Sequence, residues 1–154
     1  MATVYFGLGT NLGDKELKLQ LAVFKIKERI GKLVSLSAFY ETEPWGFDSA
    51  NSFLNAACCV TTELSPFEVL RQTKEIEVEL GRTQKSRKRK YADRVIDIDM
   101  LLYNDLILDS DELILPHPLM AQRSFVMQPL SEIAPDVIHP VLGKTMSELY
   151  QSLS

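Results

Sequence analysis

Thr3 to Leu8 alternates along the chain and carries Val, Tyr and Phe, the pattern of a first strand. Gly7, Gly9 and Gly13 read as punctuation of a turn after it. A helical period follows. Asp14 suits an N-cap, Leu17, Leu21 and Phe24 with Ala22, Ile26 and Ile30 give an apolar face, and Gly31 suits a C-terminal stop. From Leu33 to Tyr40 the even positions Val34, Leu36, Ala38 and Tyr40 are mostly apolar while Ser35 and Ser37 are polar, which predicts a half-buried strand. Glu41 to Asn51, with Pro44, Trp45, Gly46 and Asp48, predicts a loop, and Phe53 to Thr62 a buried strand. Ser65-Pro66-Phe67-Glu68 combines an N-cap, an early proline and a glutamate placed for a capping box. The helix it opens is expected to bury Val69, Thr73, Ile76 and Leu80 and to stop at Gly81.

Val95 to Tyr103 predicts another strand, and Leu106 to Leu108 with Leu113 to Leu115 predict short strands or edges. Pro116-His117-Pro118 blocks regular structure. A helix from about Phe125 to Ile133 and a short one from Ser147 close the chain. The order strand, helix, strand, strand, helix, strand is that of a ferredoxin-like α/β sandwich with a mostly antiparallel sheet and extra C-terminal helices. Neither repeat nor linker interrupts it, so residues 1–154 are expected to be a single domain.

With 154 residues, 45% of them hydrophobic, the chain can build its own core. A formal charge of -4 gives no overall attraction to nucleic acid or an anionic membrane, and no apolar run approaches the ~18 residues of a span. The expectation is a soluble cytoplasmic protein. Cys58 and Cys59, neighbours on a predicted strand, point to opposite faces and read as small buried hydrophobes in a reducing compartment. One segment departs from the average: Arg82, Lys85, Arg87, Lys88, Arg89, Lys90 and Arg94 concentrate seven of the 17 basic residues, and such a run predicts a mobile loop.

That loop enters Arg94-Val95-Ile96-Asp97-Ile98-Asp99-Met100. On a strand Asp97 and Asp99 share one face, their side chains roughly 6 to 7 Å apart, while Ile96, Ile98 and Met100 take the other. Paired carboxylates in an apolar strand suit a hard cation, magnesium or manganese; taken alone, the pattern is common enough to favour a solvated strand face. The loop can deliver Arg82, Lys85 and Arg94 to the same place. Carboxylate-held magnesium beside arginines is what a triphosphate requires, whereas a solvated charge run is what the loop's composition alone suggests. Gly7 and Gly9 begin a dinucleotide fingerprint that Leu12 breaks, and no phosphate-loop motif is present.

Gly9-Thr10-Asn11-Leu12-Gly13, Phe53-Leu54-Asn55-Ala56-Ala57, Glu77 with Gly81-Arg82, Arg94-x-x-Asp97-Ile98-Asp99, and Pro116-His117 with Arg123-Ser124-Phe125 stand in the order and near the spacing of one family. The chain resembles 6-hydroxymethyl-7,8-dihydropterin pyrophosphokinases over almost its whole length. The resemblance implies transfer of pyrophosphate from ATP to the pterin hydroxymethyl group, with release of AMP, in folate biosynthesis. It implies catalytic roles for Arg82, Arg94, Asp97 and Asp99, with the two aspartates holding two magnesium ions on the ATP phosphates. Glu77, Lys85, Tyr91, Arg94, Ile98, His117 and Arg123 would contact the nucleotide. Thr42, Trp45, Phe53, Asn55 and Phe125 would hold the pterin, the two phenylalanines stacking on its ring. The implied partners are ATP and the pterin, without nucleic acid or membrane, in a monomer or weak homodimer.

Tyr91-Ala92-Asp93-Arg94 stands where the family often has Trp-Gly-Pro-Arg, and Glu112 and Ile114 where some members carry arginine and threonine. A different acceptor with the same ATP and magnesium, an RNA-binding module built on the basic run, or a binding protein that has lost catalysis are the competing readings.

Overall fold

The structure, a computed structural model, describes residues 1–42, 52–81 and 96–153. Strand β1 (Ala2–Thr10) leads into helix α1 (Lys15–Arg29), then β2 (Gly31–Leu36), β3 (Tyr40–Thr42), β4 (Phe53–Thr62), α2 (Pro66–Glu79) and β5 (Asp97–Tyr103). A separate hairpin of β6 (Leu108–Asp109) and β7 (Ile114–Leu115) follows, then a 3-10 turn at Met120–Gln122, α3 (Ser124–Ile133) and α4 (Met146–Gln151). The main sheet runs β2-β4-β1-β5 with antiparallel pairings, and β3 pairs with β4 beyond the end of β2. This is the ferredoxin-like order. Tyr40 and Thr42 thus begin where the stretch expected as one strand from Leu33 to Tyr40 has already broken.

Local chemistry explains where the helices start. Asp14 Oδ1 accepts the Leu17 N–H at 3.1 Å, and Ser65 Oγ accepts the Glu68 N–H at 3.3 Å while the Glu68 carboxylate accepts the Ser65 N–H at 2.9 Å. Each pairs amide donors that the first helical turn leaves over. Gly81, at φ 113, ends α2 in a backbone conformation that a side chain resists.

One face of the sheet, carrying Val4, Phe6, Leu8, Cys58, Val60, Ile98 and Met100, packs on Leu19, Val23 and Ile26 of α1, on Val69 and Ile76 of α2 and on Leu80 at its C-terminal end. The other, carrying Ala57, Leu101 and Leu102, packs on Met127 and Leu130 of α3 and Met146 and Leu149 of α4. Each large side chain so buried contributes about 1.5 to 3 kcal/mol relative to exposure. The two cores meet in β5 through an irregularity. Phe6 pairs with Met100 and Tyr5 with Leu102, so Leu101 has no partner on β1 and strand alternation shifts there. Leu101 and Leu102 consequently both face α3 and α4.

Several sequence expectations are corrected. Gly7 and Gly9 are not turn residues; they lie inside β1, and among the described residues the glycines with positive φ are Gly13, Gly81 and Gly143. Gly31 is not a left-handed helix stop but the first residue of β2, where a Cβ would stand 1.9 Å from the Thr61 carbonyl oxygen. Leu17 and Phe24, expected on the buried face of α1, are 47% and 55% exposed, because the stripe through Leu19, Val23 and Ile26 meets the sheet instead. In β2 a pairing shift at Val34 turns that side chain outward, 59% exposed. The expected polar Ser37 is buried, its Oγ accepting the Ala57 N–H at 2.9 Å and donating to the Ala38 carbonyl at 2.7 Å.

Candidate active site

Strand parity sorts the expected site residues. Gly9 pairs with Asn55 on one side and Asp97 on the other, and Gly7 pairs with Ala57 and Asp99. Residues paired across strands share a face, so Phe53, Asn55, Asp97 and Asp99 lie on the side of the sheet opposite α1 and α2. Thr42, paired with Phe53, joins them from β3. The site is therefore a row across β3, β4, β1 and β5. Asp97 and Asp99 are partly exposed, whereas Ile98 and Met100 between and beyond them are core.

β5 is a sheet edge, and its outer side is tied down at the acids. The Ile98 N–H donates to Glu77 Oε2 at 2.7 Å. Glu77 is buried on α2 and so holds β5 from the helix side, across the sheet from the two aspartates. The Ile98 side chain is core, which leaves its backbone as the part available to a ligand.

On the other side of Asp99, the His117 N–H donates to the carbonyl oxygen of the unpaired Leu101 at 3.0 Å, hanging the histidine beside the acids. Burial pushes the imidazole pKa down, Asp99 pulls it partly back up, and Arg123 pushes it down again. His117 Nδ1 accepts the Leu119 N–H at 3.3 Å, so the neutral ring carries its proton on Nε2. Such a ring can donate to an anion without being charged. Arg123 opens α3, and its guanidinium lies over the Phe125 ring, 5.7 Å from the centroid. Phe125 itself is half-buried against the α3 core.

Across the row, Asn55 Nδ2 donates to Thr42 Oγ1 at 2.8 Å. β3 is fastened at its start and at its middle residue. The Glu132 carboxylate of α3 accepts the Tyr40 hydroxyl at 2.5 Å and the Ala38 N–H at 3.2 Å, while Lys15 Nζ reaches Glu41 Oε2 at 3.2 Å and Ser52 Oγ at 3.2 Å. Sequence reasoning gave no role to Glu132 or Lys15. Their partners lie tens of residues away, so no local pattern marks them.

The structure thus brings Thr42, Phe53, Asn55, Asp97, Asp99, His117, Arg123 and Phe125 to one side of the sheet and sets Glu77 and the Ile98 side chain on the other. Trp45, Arg82, Lys85, Tyr91 and Arg94 lie outside the described residues. Among the described residues no third His, Cys, Asp or Glu completes a metal-ligating group with the aspartates. Two carboxylates without soft donors fit magnesium, which keeps several waters and takes its other oxygens from phosphates. Also among the described residues, no helix is long and apolar enough to cross a membrane.

A family model described as 7,8-dihydro-6-hydroxymethylpterin-pyrophosphokinase matches residues 5–135. A protein of Porphyromonas gingivalis named 2-amino-4-hydroxy-6-hydroxymethyldihydropteridine pyrophosphokinase is 52% identical over 141 residues, covering 91% of this chain and 95% of that one. A protein of the same name from Aquifex aeolicus is 40% identical, covering 96% and 90%. Among solved structures, a triple mutant of Plasmodium falciparum HPPK-DHPS superimposes with a TM-score of 0.80 at 18% identity, over 98% of this chain and 44% of that longer one. At that identity the likeness is one of fold.

Proposed function

The chain belongs to the 7,8-dihydro-6-hydroxymethylpterin-pyrophosphokinase family, and from that premise we propose which of its residues serve the transfer of pyrophosphate from ATP to 6-hydroxymethyl-7,8-dihydropterin. The enzyme is a transferase of folate biosynthesis that uses ATP. In the reaction the pterin hydroxymethyl oxygen forms a bond to the β-phosphorus of ATP, the bond from that phosphorus to the α-phosphate oxygen breaks, and AMP leaves. The hydroxyl proton passes to solvent or to a phosphate oxygen.

Asp97 and Asp99 would hold magnesium, on the strength of their shared face and hard donor atoms. Bound there, the ion would neutralise phosphate charge and orient the reacting oxygens. His117 lies beside Asp99 with Arg123 near it, and the two would bind phosphate oxygens, the first as a neutral donor through Nε2 and the second as a charged one. Arg82 and Arg94, with Lys85 and Tyr91, would complete the nucleotide side, and the Ile98 backbone, held by Glu77, would face the nucleoside. Asn55 would hydrogen-bond the polar edge of the pterin, with Thr42 and Trp45 beside it and Phe53 and Phe125 stacking on the ring. No side chain need act as a strong base, because phosphoryl-type transfer is served mainly by positioning and charge. Residues 1–154 would act as one pyrophosphokinase domain. The observation that carries this assignment is the row Asn55, Gly9, Asp97, in which a group suited to a pterin edge and a group suited to magnesium lie on the same face of the sheet, on the two strands that flank β1.

Chromatography of a mixture of protein, ATP, magnesium and the pterin is expected to show AMP and pterin diphosphate in equal amounts, and neither without pterin or metal. ADP or free pyrophosphate as the product would overturn the reaction. Within the site, Phe125→Ala is expected to raise the pterin KM by about tenfold or more through lost stacking, while the ATP KM changes by about twofold or less. Equal rises for both substrates would make Phe125 a packing residue.

A further inference from the structure

We propose that Gly9 and the Thr42 hydroxyl are positioning residues that together hold the Asn55 carboxamide in the place from which it meets the pterin. The inference rests on the assignment of Asn55 to the polar edge of the pterin. Asn55 is 4% exposed, so its amide has little freedom to choose partners from solvent. Its Nδ2 donates to Thr42 Oγ1 at 2.8 Å, and its Oδ1 lies over Gly9, 3.1 Å from the position a Cβ would occupy.

The pterin edge presents donors and acceptors in a fixed order, so the side chain that reads it must be held in place. Thr42 holds one end of the amide by a single hydrogen bond, about which the other end could still swing. Gly9 supplies the second constraint by leaving room for Oδ1 against the bare backbone of β1. A methyl group there would press on Oδ1 more tightly than side chains ordinarily tolerate. The amide could yield only by swinging away from β1 and giving up Thr42, since turning over would put its NH2 group in the same place. The requirement is local: at Gly7, on the same strand, a Cβ would meet only the Leu101 side chain at 3.5 Å, an ordinary contact. Glycine at position 9 is thus explained by a side chain two strand neighbours share, not by backbone conformation, since its φ is not positive.

Steady-state kinetics with each substrate varied in turn tests this in Gly9→Ala, Asn55→Ala and the double variant. Gly9→Ala is expected to raise the pterin KM about tenfold, as for a lost or misdirected hydrogen bond, with ATP KM and kcat within about twofold. In the Asn55→Ala background the same substitution is expected to add less than about twofold, because its effect runs through the missing amide. A tenfold effect in both backgrounds, or none in the first, overturns the proposal while leaving the site intact. An unchanged pterin KM in Asn55→Ala removes the assignment of Asn55 itself and the proposal with it. Thr42→Val leaves the steric space alone and guards against a Gly9 variant that fails to fold. It is expected to raise the pterin KM, with recovery in Thr42→Ser; a normal Thr42→Val overturns the shared cradle.

Discussion

Asp97→Ala or Asp99→Ala is expected to reduce AMP formation by on the order of 10³-fold or more, about 4 kcal/mol of barrier, in a protein that folds as well as the parent. The two halves of this expectation have separate causes. The loss follows from the shared face of the two carboxylates: removing either leaves one hard ligand where a magnesium ion and a polyphosphate are to be held. Retained folding follows from what β5 uses to stay in place. Ile98 and Met100 are buried, and the Ile98 N–H is bonded to Glu77, so the strand is docked by groups other than the aspartate carboxylates. Deleting one of two like charges also removes repulsion. The measurement pairs turnover with thermal unfolding, and adds a magnesium titration. Parental turnover in either variant would sink the metal assignment; a large drop in Tm would show that the aspartates serve the fold.

The second large effect concerns stability alone. Gly31→Ala is expected to cost about 3 kcal/mol or more, because its new Cβ would stand 1.9 Å from the Thr61 carbonyl oxygen and 2.8 Å from its carbon. The obstacle is backbone and cannot swing aside. It is also pinned: the Thr62 hydroxyl donates to the Ile30 carbonyl at 2.5 Å and accepts the Leu64 N–H at 3.0 Å, so both chains at the crossing are fixed to each other. Gly31 pairs at one end of β4 and the site residues at the other, so activity per folded molecule should persist. Urea unfolding gives the answer, and a change within about 0.5 kcal/mol would mean that the β2 to β4 pairing can shift to admit the methyl group.

Gly31 also shows where sequence reading succeeds for the wrong reason. A glycine after an apolar helix reads as a cap by a local rule, and the chain does turn there, yet the cause is a carbonyl thirty residues onward that no local pattern announces. Leu17 and Phe24 fail similarly: their spacing is helical, and spacing alone does not say which of two apolar stripes meets the sheet. What was legible was whatever alternation or a compact motif encodes. The parity of Ile96 to Met100 placed both acids on one face, Ser65 to Glu68 gave the start of α2, and the order of elements gave the sheet. The ties among Glu77, Ile98, His117 and Leu101 were not legible, being contacts between segments whose separation only the fold closes.

The unpaired Leu101 has a consequence for how this strand can vary over time. Sidedness in a strand is a matter of odd and even, and one extra residue exchanges them, so β5 is in effect two half-strands of opposite phase. Asp97 and Asp99 are counted from the cleft, whereas Leu102 is counted from the core under α3 and α4. A one-residue slip that would carry the acids into the apolar interior must first erase the offset, losing the carbonyl on which His117 hangs. Mutational drift in the C-terminal core can therefore proceed without re-aiming the acids, as though a gear had been placed between the part of the chain that packs and the part that reacts.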